Sequence, residues 1–73
     1  MTPAQFFEQG KGGQKVRMGS DPEIYVICQV TAGSHGYVSR EGEAKQIFVY
    51  LAAGLVRFKD LKGPCYGEVH LAT

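Results

Sequence analysis

Tryptophan is absent from this 73-residue chain, cysteine occurs twice, proline three times, and neither sign of charge dominates. Each shortage removes a class of explanation. Cys28 and Cys65 are too few for the dense disulfide framework that staples many small secreted domains; without an export signal they are expected as free thiols. Eight Lys and Arg stand against seven Asp and Glu, a formal net charge of +1, so no global field gathers nucleic acid or acidic lipid and any basic site has to be local. The longest apolar run, Ile47 to Ala53, has seven residues, against the roughly 20 that a membrane-crossing helix needs. No membrane segment is expected. The stretch Met1 to Glu8 has neither the basic start nor the apolar middle of a secretory leader, and the expected location is the cytoplasm.

What is present suits one small folded domain spanning 1–73. Hydrophobic residues make up 44% of the chain and charged residues 21%, which places it with globular proteins rather than disordered tails. A chain of this length buries only about 60% of the surface its unfolded form exposes, so it has room for a single core. The expected division is an N-terminal helix and Gly-rich link over 1–13, followed by the core over 14–73.

Thr2-Pro3-Ala4-Gln5 carries the signals of a helix start: Thr2 as cap, Pro3 at the first helical position and Gln5 completing a capping box. Gly10 ends it. So short a helix is unstable alone, and Phe6 or Phe7 is expected to dock it on the core. Lys15 to Met18 alternates at the strand period, and Glu23 to Thr31 is dense in β-branched and aromatic side chains. A turn at 32–36 precedes Tyr37-Val38, which opens a short returning strand.

From Ser39 the pattern changes. Ala44, Ile47, Phe48 and Leu51 follow the spacing of one helix face, with Glu41 and Glu43 near the favourable end of the dipole. Ala52-Ala53-Gly54-Leu55 resembles a helix stop. The sequence therefore predicts a helix over about 40–53; the competing reading makes Ile47 to Leu51 a strand. Leu55 to Lys59 and Cys65 to Leu71 then form a closing hairpin around Lys62-Gly63-Pro64. The expected fold is α+β: a small, mainly antiparallel four-stranded sheet packed by the 40–53 helix, with the short N-terminal helix beside it. The alternative is a small all-β barrel, which follows if 46–51 is a strand.

Strand alternation sorts residues by face. Ile24, Val26, Cys28 and Val30, then Val56 and Phe58, then Cys65, Gly67, Val69 and Leu71 are assigned to the core. The opposite faces carry Tyr25, Ile27 and Gln29, Arg57 and Lys59, and Tyr66, Glu68 and His70. Aromatic and basic groups interleave on that second face, which a helix on one side of the sheet leaves open. The expected partner-binding residues are Tyr25, Ile27, Arg57, Lys59, Tyr66 and His70.

Other motifs do not assemble. Cys28, His35, Cys65 and His70 would make four zinc ligands, but structural zinc sites usually draw pairs of ligands from tight turns, and six residues separate Cys28 from His35. Thiols on a buried face lose the ionisation and access a nucleophile needs. Ser34-His35 and Glu68 near His70 have no orienting third group or oxyanion site. Gly10-Lys11-Gly12-Gly13 lacks the strand, spacing and ending of a phosphate loop. The function expected from the sequence is a non-catalytic interaction module acting through protein contact or self-association, with aromatic anchors at its centre. The alternative is nucleic-acid binding by the same face, Tyr25 and Tyr66 stacking on bases while Arg57 and Lys59 hold phosphates. Neither metal nor small-molecule cofactor is expected, since so small a chain has little room for an enclosed ligand pocket.

Overall fold

The computed structural model describes residues 1–31, 33–59 and 65–72. Helix α1 (Pro3–Gln9) is followed by β1 (Lys15–Met18), β2 (Ile24–Thr31), β3 (His35–Arg40), β4 (Ile47–Ala52), β5 (Leu55–Phe58), β6 (Cys65–Tyr66) and β7 (Val69–Leu71). The strands make one antiparallel sheet in the order β6-β5-β4-β3-β2-β1-β7. Strands β1 to β6 therefore form a meander, and β7 pairs with β1. The chain passes from one edge of the sheet to the other through Gly67 and Glu68 alone, which curls the sheet into a nearly closed barrel. No helix among the described residues is long and apolar enough to cross a membrane.

The α+β expectation is thus corrected, with the all-β barrel in its place. Its central error is the 40–53 helix: Arg40 ends β3, residues 41–46 are neither helix nor strand, and Ile47–Ala52 is strand β4. Ile47, Phe48, Val49 and Tyr50 all suit a pleated strand, and β4 pairs on both sides, with β3 and with β5. Ala53 and Gly54 do not end a helix. They take φ values of +55° and +75° between the paired residues Ala52 and Leu55, the left-handed pair of angles that a two-residue hairpin turn requires. Glycine meets that requirement at no steric cost; alanine does not.

The N-terminal helix matches its sequence signals. The Gln5 amide donates to Thr2 Oγ1 at 3.2 Å and the Thr2 amide to Gln5 Oε1 at 2.9 Å, the two reciprocal bonds of a capping box. Phe6 and Phe7 are both fully buried, edge to face at 4.8 Å. They join the barrel interior, where Val16, Met18, Tyr25, Ile27, Val38, Val49, Val56, Phe58 and Val69 make one apolar cluster.

The misassigned faces trace to a strand, β2, that is apolar on both sides and to two breaks in the alternation. In β2 the register slips between Ile27 and Gln29, the signature of a bulge, which lets one extra residue into a strand. Before the bulge Tyr25 and Ile27 point inward, at 2% and 1% exposure, while Ile24, Val26 and Cys28 are only half-buried. After it, Val30 packs on the core and Gln29 is exposed. Strand β3 comes so close at this point that a Cβ on Gly36 would overlap the Gln29 carbonyl oxygen, so only glycine fits. The second break is Gly67-Glu68. Cys65 to Leu71 is two short strands with different partners, so Cys65 is exposed, Tyr66 packs against the core, and Val69 is buried. The barrel does not close over Leu71, which is 55% exposed. The turn at Lys62-Gly63-Pro64 lies outside the described residues.

Candidate functional site

The six expected binding residues do not share a surface. Tyr25 and Ile27 are inside the barrel, and the Tyr25 ring packs on Phe58 at 5.1 Å. Tyr66 is half-buried on the edge strand β6, edge-on to Phe58 at 5.7 Å, and its hydroxyl donates to Asp21 Oδ2 at 2.9 Å. Burial, and then this bond to a carboxylate, push the Tyr66 hydroxyl up to about 12. His70 lies on β7, with Nε2 3.3 Å from Glu68 Oε2. Arg57 and Lys59 alone fall together: Arg57 points outward from β5, opposite in direction to the buried Val56 and Phe58, and the exposed Lys59 follows directly after the strand.

The potential ligands Cys28, His35, Cys65 and His70 stand on β2, β3, β6 and β7. Among the described residues no three histidine, cysteine or carboxylate side chains converge to hold a metal ion. Both cysteines are free thiols, and Cys28 Sγ lies 3.2 Å from Ser39 Oγ. A groove of about 380 Å³ runs beside the start of α1, lined by Met1, Thr2, Gln5, Gly67, Glu68 and His70. The Glu68-His70 pair is its only titratable side-chain pair among the described residues.

Around Arg57 and Lys59 the barrel assembles a different surface from the one expected. His35 is opposite Tyr50, and Tyr37 is opposite Phe48, across β3 and β4. Tyr50 is in turn opposite Arg57 on β5, and the Lys59 amide donates to the Phe48 carbonyl oxygen at 3.0 Å. All these side chains point outward, since their strand neighbours Gly36, Val38, Ile47, Val49, Val56 and Phe58 are buried. The rings touch one another. Centroid distances are 5.4 Å for Tyr37 and Phe48, 5.9 Å for His35 and Phe48, and 6.0 Å for Phe48 and Tyr50. Lys59 Nζ lies 5.9 Å from the Phe48 centroid, at the outer reach of a cation–π contact.

Two cross-strand rows result. One runs Gln29, Tyr37, Phe48 and then Lys59, just past the end of β5; the next runs Thr31, His35, Tyr50, Arg57 from β2 to β5. Each begins with a hydrogen-bonding side chain on β2, continues through two rings and ends on a cation. None of the residues of β3, β4 or β5 is acidic. Tyr37, at 40% exposure, is the most open ring of the set. The signal for this face lay in the strand reading of Ile47 to Leu51, which sends Phe48 and Tyr50 to the side opposite Ile47 and Val49.

Fold and surface together define a small, nearly closed meander β-barrel with its last two strands at the two edges of the sheet, an N-terminal helix packed into its core and an aromatic and basic outer wall. No model of a known protein family matches this chain, and no curated protein or solved structure matches it significantly.

Proposed function

We propose that this protein is a non-catalytic binding module that takes single-stranded nucleic acid on the outer face of β3, β4 and β5. One observation carries the reading: four contiguous rings, His35, Tyr37, Phe48 and Tyr50, sit beside Arg57 and Lys59 on three strands with no carboxylate. Rings exposed on a sheet stack on unpaired bases of any sequence, each stacked base being worth about 1–3 kcal/mol, while the cations hold the backbone. With a net charge of only +1, long-range attraction is weak and the contact itself has to supply the affinity. Such a module would work in the cytoplasm, where its two thiols stay reduced.

The test is fluorescence anisotropy of a labelled oligothymidylate at several salt concentrations. Binding that weakens as salt rises, and that falls when Arg57→Ala and Lys59→Ala are combined, supports the reading. Absent binding, or binding indifferent to salt, overturns it.

Protein contact, including self-association, is the second reading. The exposed Tyr37 beside Phe48 and Tyr50 favours it, because clustered aromatics with few charges also suit the buried centre of a protein interface. Light scattering separates the two: a dimer that dissociates on Tyr37→Ala favours protein contact.

A further inference from the structure

From the two rows on the outer wall we infer a footprint of two successive nucleotides, each row taking one base, with phosphates along β5 and base edges toward β2. This rests on the nucleic-acid reading above and specifies what that surface recognises. Along β4 the ring centroids of Phe48 and Tyr50 are 6.0 Å apart. Bases stacked on each other advance by only about 3.4 Å per nucleotide along a strand. A stacked strand or a duplex therefore cannot lay consecutive bases on consecutive rings; an unstacked, extended strand can.

The ends of the rows set the orientation across the barrel. Arg57 on β5 and Lys59 directly after it close the rows, where a phosphate meets a cation. Gln29 and Thr31 open them on β2, and Gln29 is exposed. An amide with both donors and an acceptor reads the edge of an unpaired base. Phosphate binding and base preference thus fall on opposite sides of the same rows.

Calorimetric titration with oligothymidylates of one to six nucleotides, and with a duplex of matching length, tests this. One further stacked base multiplies affinity by roughly five- to 150-fold. That step is expected between one and two nucleotides, with only the few-fold statistical gain of extra registers beyond two, and no comparable binding of duplex. The salt slope, log affinity against log salt, is expected near −1.4, about −0.7 for each of two phosphates on a single strand. Lys59→Ala and Arg57→Ala each remove about half of it. Tyr37→Leu and Tyr50→Leu keep apolar bulk without the ring and each abolish the second-nucleotide step. Gln29→Ala changes the ranking of oligothymidylate against oligoadenylate while leaving the slope unchanged. A gain that keeps climbing past two nucleotides, or equal binding of duplex, overturns the two-nucleotide footprint while sparing the nucleic-acid reading. A slope that moves with Gln29→Ala overturns the orientation. No binding of any oligomer overturns both.

Discussion

The Tyr66 hydroxyl donates to Asp21 Oδ2 across 2.9 Å, joining residues 45 apart in the chain. Through it β6 is anchored to the turn that follows β1, so a strand of two residues gains a second attachment besides its pairing with β5. The Glu23 amide donates to the same carboxylate, to Oδ1 at 2.9 Å. That amide, and then the Tyr66 hydroxyl, hold the Asp21 carboxyl below its ordinary 3.8.

The pair gives stability a pH dependence at both ends of the scale. A lowered carboxyl contributes stability that is present above pH 3.8 and is lost as pH falls through its lower folded value. Tyr66 works in the other direction: raised from 10.0 to about 12, it contributes stability that is whole below pH 10 and lost as pH rises toward 12. Urea unfolding across pH should therefore show a flatter acid limb in Asp21→Asn. Tyr66→Phe should reduce the loss of stability above pH 10, and its ultraviolet titration should lack the tyrosine component that ionises near 12.

Gly36→Ala should be among the most damaging single-methyl changes in the chain. The added Cβ would overlap the Gln29 carbonyl oxygen and come within 2.9 Å of Val30 Cα. Both are backbone atoms, held by the β2–β3 pairing, so no side chain can swing away. Overpacking of this kind costs about 1–3 kcal/mol. The midpoint of urea denaturation should fall by a corresponding amount, with an unchanged slope.

At Ala53 the expected change has the opposite sign. A non-glycine residue at φ +55° bears a left-handed conformation that costs an L-residue about 1–2 kcal/mol. Asparagine tolerates it better and, followed by glycine, makes the preferred two-residue hairpin turn. Ala53→Asn should raise stability by about 0.5–1 kcal/mol, read as a higher thermal midpoint. Gly54→Ala should lower it. These outcomes also separate the hairpin from a helix end, where position 53 would still be right-handed and asparagine would bring no gain.

That same turn shows where the sequence was hard to read. The helix at Pro3–Gln9 was legible because capping signals are local: Thr2, Pro3, Gln5 and Gly10 fix it within a few positions. Strands β1 and β5 were legible by alternation. For β4, however, Ile47, Phe48 and Leu51 satisfy the spacing of a helix face and also lie in a strand apolar on both sides, and Ala53-Gly54 can end a helix or turn a hairpin. The decision came from pairing with β3 and β5, which is not a local property. In β2 the apolar residues occupy both sides, so alternation alone cannot say which is inside. The bulge at Cys28 then places Tyr25 and Gln29, expected together, on opposite sides of the wall. The candidate surface inherited both errors, and only Arg57 and Lys59 of the expected residues remain on it.

Tyrosines inside and outside the barrel should accordingly respond in opposite ways to substitution. Tyr25 is 2% exposed and packed on Phe58 at 5.1 Å, so Tyr25→Ala should cost about 3–5 kcal/mol of stability, as removal of a buried ring does. Its milder partner Tyr25→Phe keeps the ring and should leave oligonucleotide affinity unchanged. Tyr37, at 40% exposure, has little buried area to lose. Tyr37→Ala should alter the unfolding midpoint only slightly while reducing affinity for oligothymidylate by about 1–3 kcal/mol, the worth of one stacked base. Parallel measurement of urea midpoint and anisotropy on Tyr25→Phe and Tyr37→Ala checks the assignment. A binding loss in Tyr25→Phe with none in Tyr37→Ala would put the contact somewhere other than the outer wall.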